Sequence, residues 1–367
     1  MSSIILKNLY KEDKKIPMLI RNNVVLYKMV VKPIFVLSVD SINIMPEETA
    51  SFTITANDKW TITAPEEVVL SSYSGYGNTT ITLTGNSECQ GLISVTCDGV
   101  TKTISITVEK GYKSQYLTFK ITKNGIIKWW ASNNSSRKTI SYSKNNGSTW
   151  TSVTSSSGSS GTSINVSNGE TLIFKGNNSS YATDASNCSA FRYSTAGFEV
   201  EGNIMSMIYG DNFKNNTGLT GSYNFVRFFQ NCKGLTSAEN LVLPSTTLRE
   251  GCYRSLFDTD TSLRKAPALP ATTLAFGCYL NMFLRTIITT APELPATRLA
   301  DSCYQAMFYN CASLNYIKCL ATDISASLCL QQWVQNVPSS GTFVKKSGVT
   351  YPTGNSGIPS GWTVQEV

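Results

Sequence analysis

Apolar and polar residues alternate along much of the first two hundred positions, which is the pattern of a half-buried strand. The alternation is plain in Ser51-Phe52-Thr53-Ile54-Thr55, in Thr80-Ile81-Thr82-Leu83-Thr84 and in Thr103-Ile104-Ser105-Ile106-Thr107-Val108. Turn-prone clusters at Asn57-Asp58-Lys59, Ser74-Gly75-Tyr76-Gly77-Asn78 and Asp98-Gly99 bound these runs. Strands at that spacing predict a β-sandwich over 35–110, with Trp60 as a plug in its core. A second β-sandwich is expected over 111–202, from Tyr116-Leu117-Thr118-Phe119-Lys120-Ile121, Thr139-Ile140-Ser141-Tyr142-Ser143 and Glu170-Thr171-Leu172-Ile173-Phe174-Lys175. Lys144-Asn145-Asn146-Gly147 reads as its hairpin turn. The Ser/Gly stretch 155–160 reads as a flexible loop tip.

Residues 1–34 hold short strand-like runs, Ile4-Ile5-Leu6, Met18-Leu19-Ile20 and Val24-Val25-Leu26-Tyr27, with Arg21-Asn22-Asn23 as a turn between the last two. So short a segment cannot bury a core of its own. It is either a strand or two added to the next domain or an anchoring segment that docks on another protein.

From residue 203 the pattern changes to a repeat. Leu243-Pro244-Ser245-Thr246-Thr247-Leu248 leads to Cys252-Tyr253, and the phrase returns at Leu269 to Cys278-Tyr279 and at Leu294 to Cys303-Tyr304. A worn copy runs from Leu320 to Cys329, so the cysteines are spaced by 26, 25 and 26 residues. Such a period predicts a leucine-rich-type solenoid over 203–336, closed by a cap over 337–367. Prolines in Ala266-Pro267-Ala268-Leu269 and Ala291-Pro292-Glu293-Leu294 suit an extended edge path. Cysteine, methionine and phenylalanine at i, i+4 and i+5 in 278–283 and 303–308 suit one side of a short helix. On this reading Cys252, Cys278, Cys303 and Cys329 form a ladder in the solenoid core with Phe257, Phe283 and Phe308. Val334 takes the phenylalanine position in the worn copy.

The chain has 367 residues and a net charge of +7, unevenly spread. Residues 1–35 carry seven Lys/Arg against two acids, and 36–110 carry three Lys against nine acids. That asymmetry suggests different partners for the two segments, with Lys7, Lys11, Lys14, Lys15 and Arg21 as candidate anchor residues. The basic residues are dispersed without interleaved aromatics, so no nucleic-acid partner is expected. Histidine is absent, which excludes Ser-His-Asp and Cys-His catalysis and His-ligated zinc. Ten cysteines without a Cys-x-x-Cys pair read as reduced thiols of a chain matured in a cytoplasm. No secretory signal, lipobox or membrane span is read from the sequence.

Paired carboxylates are few. Glu66 and Glu67 would diverge on a strand, Glu199 and Glu201 share a face without a cleft, and Asp258 and Asp260 read as Asx-type turns. Together with the missing phosphate and metal motifs, this reads as a non-enzymatic protein without a cofactor. Of the adjacent Trp129 and Trp130, a strand sends one into the core and the other outward. The outward ring, with Tyr76, is a candidate glycan contact.

Residues 36–108, through the Val36-to-Ile44 strand, Trp60-Thr61-Ile62, the 74–78 turn, Thr80-Ile81-Thr82-Leu83 and Lys102-to-Val108, resemble the BACON domain of gut Bacteroidales proteins and their phages. That resemblance implies an immunoglobulin-like sandwich and a family associated with carbohydrate or mucin. Ala-Pro-Glu-Leu-Pro-Ala-Thr with Cys-Tyr and Met-Phe resembles the BspA-like leucine-rich repeat, which implies adhesion or recognition. The lead-in Gly202-to-Phe213 and the end Ile358-to-Val364 also look like that repeat family. Together they imply a phage virion appendage, a head or tail fibre, made in the host cytoplasm. Its amino-terminal segment would dock on capsid or tail proteins, and it would be a homo-oligomer, with a trimer favoured. Its partner would be a surface glycan, without membrane insertion. The alternative is a bacterial cell-surface adhesin, and a rival of another class is a glycan-degrading enzyme using Glu199, Glu201 and Glu293.

Overall fold

The computed structural model describes residues 18–21, 24–27, 34–44, 46, 48–108, 111–158 and 161–367, with the backbone alone at 18–27. Lys7, Lys11, Lys14 and Lys15 lie outside the described residues, and Arg21 is placed only as the last residue of a strand. The chain is mainly β and divides into two compact units, 1–111 and 112–367.

In the first unit Met18–Arg21 pairs antiparallel with Val24–Tyr27, the hairpin expected from the two apolar runs. Beyond it two sheets share one core. Ser41–Ile44, Val100–Val108, Cys89–Cys97, Lys59–Thr63 and Ser74–Tyr76 form one sheet in that order, and Phe35–Leu37, Thr49–Ala56, Thr79–Gly85 and Val68–Leu70 form the other. Period-two alternation puts Phe52, Ile54, Ile81, Leu83, Ile93, Val95, Ile104 and Ile106 inside and their threonine and serine neighbours on the outer faces. Trp60 is the expected plug, buried with its Nε1 donating to the Gly77 carbonyl at 3.0 Å. A Cβ on Gly75 would fall 2.3 Å from that indole, so only glycine lets the neighbouring strand cross it.

In the second unit one six-stranded sheet runs in the order Thr151–Thr154, Thr139–Ser143, Thr171–Lys175, Leu117–Lys123, Gly197–Asn203, Leu235–Val242. Gly125–Ala131 is the centre of a second sheet, flanked by Thr162–Val166, Ser156–Ser157 and Ser189–Phe191. The hairpin turn is as expected, with Asn146 and Gly147 at φ of 52° and 85°. Residues 155–157 of the Ser/Gly stretch differ from the expected loop tip, while 159 and 160 lie outside the described residues. Ser155 is buried and its hydroxyl meets that of Ser189 at 2.7 Å, while Ser156 and Ser157 pair with Trp130 and Ala131.

Gly197–Asn203 is the seam of this unit. It is antiparallel to Leu117–Lys123 on one side and parallel to Leu235–Val242 on the other. The expected boundary at 202 therefore falls inside a strand, and a single hydrophobic cluster runs from Leu117 to Trp362. Beyond the seam the chain stacks in successive coils, the phrase lying at Leu243 on the first, Leu269 on the second and Leu294 on the third. The step from Tyr223 to Gly251 is 28 residues and the later steps are 25 or 26. Each coil has a face carrying the Leu-Pro phrase and a face carrying the Cys-Tyr segment.

The Cys-Tyr face is not the short helix expected from the i, i+4, i+5 spacing. Its backbone is a run of turns with a left-handed residue at every fourth position. These residues are Tyr223, Arg227 and Asn231, then Gly251, Ser255 and Thr259, then Gly277, Asn281 and Arg285, then Ser302, Ala306 and Asn310, then Leu328, Gln332 and Asn336. Each left-handed residue turns alternate amides away from the coil's own axis. Leu256 N–H still closes a turn on the Tyr253 carbonyl at 3.2 Å, but Tyr253, Ser255, Phe257 and Thr259 donate to the next coil's Cys278, Leu280, Met282 and Leu284 at 2.8–3.0 Å. A non-glycine residue in this conformation costs about 1–2 kcal/mol, which the bonds to the neighbouring coil help offset.

Inside, aromatic rings stack from coil to coil. Phe191, Phe229, Phe257, Phe283 and Phe308 follow one another at centroid distances of 6.2, 5.6, 5.6 and 5.8 Å. Tyr181, Phe225, Tyr253, Tyr279, Tyr304 and Trp333 form a second column at 5.9–6.2 Å. Trp333 also lies 6.0 Å from Phe308 and so closes both columns. Cys252, Cys278 and Cys303 are fully buried, Cys329 nearly so, and all are free thiols. The segment expected as a cap prolongs the stack, since Tyr316–Cys319, Thr342–Lys345 and Thr363–Glu366 form a parallel sheet.

Candidate functional site

The residues expected to contact a glycan are not brought into one site. Tyr76 is 69% exposed on the edge strand Ser74–Tyr76 of the first unit. Trp129 is fully buried in the second unit, with Nε1 donating to the Lys138 carbonyl at 2.9 Å, and has no surface to offer a ligand. Trp130 faces the other way, as strand geometry requires, but it is only half-buried. It packs on Ala182, Cys188, Ala190 and Val226, and the Arg192 guanidinium lies 4.6 Å from its ring centroid. A sugar would have to displace that cation to stack there.

The carboxylates read as turn formers behave differently. Asp260 is fully buried and accepts the Cys232 N–H at 2.5 Å, while Asp258 accepts from Gln230 at 2.5 Å. Burial pushes the Asp260 carboxyl well above the usual range, and the neighbouring Asp258 adds to the effect. Burial likewise raises the thiols, Cys252 and Cys311 to about 12 and Cys188 to about 11, so none is a ready nucleophile. Among the described residues no group of three or more Cys, Asp or Glu is placed to hold a metal, and no helix is long and apolar enough to cross a membrane. Of the carboxylates assigned to a hydrolytic rival, Glu201 is buried 3.6 Å from Lys120, and Glu293 pairs with Lys318 at 2.8 Å.

A groove of about 740 Å³ lies on the phrase face. The second coil contributes Arg264 to Pro270, the third contributes Thr289 to Glu293 with Pro295, and Glu239 closes one end. The sequence builds it in a simple way. Pro267, Pro270, Pro292 and Pro295 hold both walls extended and remove amides from them, while the small side chains of Ala266 and Ala268 leave the space between the walls unfilled. Ion pairs mark its ends, Lys265 to Glu239 at 2.6 Å and Lys318 to Glu293 at 2.8 Å. Donating a hydrogen bond to Glu239 raises the Lys265 ammonium, and donating one to Glu293 raises Lys318.

A smaller hollow of about 370 Å³ beside Thr139, Lys175 and Asn178 has its charges already paired. Lys175 donates to Asp211 at 2.8 Å and the Tyr116 hydroxyl donates to it at 2.7 Å.

No protein-family model and no curated protein matches this chain. Among solved structures, the BIgI domain of beta protein from S. agalactiae bound to CEACAM1 is 20% identical, over 22% of this chain and 98% of that one. Its TM-score is 0.16, a likeness too slight to carry an argument.

Proposed function

We propose that the protein is a non-catalytic attachment module whose stacked coils form a leucine-rich-type solenoid that holds a binding groove in a rigid frame. The observation that carries this reading is the contrast between a core filled with stacked rings and an open groove on the same coils, lined by prolines and alanines with ion pairs at its ends. Such a frame presents a surface without the conformational cost of ordering a loop. The sandwich of the first unit fits an immunoglobulin-like, BACON-type spacer. With the basic amino-terminal segment as an anchor to capsid or tail proteins, the whole suits a virion appendage of a phage infecting gut Bacteroidales. Displayed in several copies, weak contacts to surface glycans would add by avidity.

Two experiments test this reading. Mass spectrometry of purified particles should find peptides of this chain, and particles without them would refute the virion assignment. The full chain on an array of host-surface and mucin glycans should give discrete signals above those of a denatured control, and a flat array would refute attachment through sugars.

A further inference from the structure

The same phrase occurs on the second and third coils, yet the two copies bond differently to the coil that follows. On the third coil, Ala291 N–H donates to the Tyr316 carbonyl at 2.9 Å and Leu294 N–H to the Lys318 carbonyl at 3.0 Å, and Leu320 N–H returns to the Leu294 carbonyl at 3.0 Å. On the second coil, the equivalent Ala266 and Leu269 donate to nothing, and neither do Ala268 and Ala271. The carbonyls of Thr290, Ala291, Pro292 and Glu293 across the gap accept nothing in return. Leu269 is buried, and its amide has no hydrogen-bond partner. Buried amides without a partner are rare because each costs about as much as a lost hydrogen bond.

The corners that lead into the phrases differ in length. Leu263 follows Asp260 by three residues and Leu314 follows Cys311 by three, but Ile288 follows the equivalent Thr286 by only two. The third coil is one residue short at this corner, and there Ile287 N–H bonds back to the Leu263 carbonyl at 3.1 Å. Past the short corner the two phrases run side by side without a bond until the turn face.

We propose that this gap is a saccharide-binding cleft, which takes a neutral oligosaccharide whose hydroxyls bridge the free amides of the second coil and the free carbonyls of the third. The inference rests on the attachment reading and names the ligand class and the place. A hydroxyl both donates and accepts, so one ligand group can satisfy both walls. The rings of Pro270, Pro292 and Pro295 give apolar ridges for the C–H faces of a pyranose. An extended peptide fits less well. A strand partner needs amides at every second residue, and Pro267 and Pro270 break that series on the wall that the second coil supplies.

The test uses the full chain titrated with cellohexaose, xylohexaose, mannohexaose and desialylated mucin O-glycans. Ala268 and Thr289 are exposed, on opposite walls, so Ala268→Trp and Thr289→Trp fill the cleft with little effect on folding, which thermal melts check. Both should weaken binding about tenfold or more, the loss of one or two hydroxyl contacts, while Tyr76→Ala and Trp130→Ala leave it unchanged. Saccharide binding that survives both tryptophan variants overturns the cleft and leaves the attachment reading standing. No binding by the wild-type chain overturns both. A random extended-peptide library captured by the wild type and lost in both variants, with sugars not bound, overturns the saccharide assignment.

Discussion

On its turn face a coil passes alternate amides to its neighbour, and on its phrase face the second and third coils pass none between Ala266 and Ala271. The two faces belong to the same residues' worth of chain and share one core, so burial does not separate them. Backbone chemistry does. Left-handed residues at every fourth position aim donors at the next coil on one face, while prolines remove donors from the other. A repeat can thus be closed along one side and left open along the other without loss of packing between the rings. The proposed binding surface lies where the ladder is open.

Breaking the closed side should cost most. Phe283 is fully buried between Phe257 at 5.6 Å and Phe308 at 5.8 Å. Phe283→Ala should therefore destabilise the second unit by about 3–5 kcal/mol in chemical denaturation. A loss below about 1 kcal/mol would mean the column does not hold the stack. Cys278→Ser replaces a buried thiol with a hydroxyl and should cost about 1–3 kcal/mol. The same burial predicts that the ladder thiols ignore a thiol reagent at pH 8 until the protein unfolds, whereas Cys89, only partly buried, reacts first.

Asp260 sharpens the comparison at the corner between the faces. Its folded value is raised, so the native state holds a proton that the unfolded chain has released. Stability should then fall as pH rises from about 4, by at most about 1.4 kcal/mol per pH unit. Asp260→Asn should flatten that slope, and parallel pH profiles for the two proteins would contradict the burial argument. Smaller still is Ser255→Gly, at φ of 56°. It should stabilise by up to about 1 kcal/mol by relieving left-handed strain. Pro270→Ala on the open face, exposed in the groove, should cost less than about 1 kcal/mol, mostly through the unfolded chain.

Much of the fold could be read from the residues. Alternation located the strands around Phe52, Ile81 and Ile104, the repeat period located the coils, and the match of Cys252, Cys278 and Cys303 to Phe257, Phe283 and Phe308 located the core. The helix expected at Cys278 failed because i, i+4, i+5 spacing fits a run of four-residue turns equally well. Asn231, Asn281, Asn310 and Asn336 were the available hint, since asparagine tolerates left-handed backbone. The asymmetry of Trp129 and Trp130 followed from strand geometry, but Arg192 covering the outer ring is a long-range contact that no local pattern reveals. The groove had a visible trace as well. The spacing of 26, 25 and 26 residues contains one short step, and that step is the corner at Thr286 beside which the ladder opens.

Amide hydrogen exchange measured residue by residue in the native chain tests the contrast between closed and open faces most directly. The account predicts slow exchange at Tyr253, Ser255, Phe257, Ala291 and Leu294, and exchange faster by orders of magnitude at Ala266, Ala268 and Leu269, slowed when a saccharide binds. Equal protection at Leu269 and Leu294 in the free protein would show that the ladder is closed there, and the groove would lose its basis.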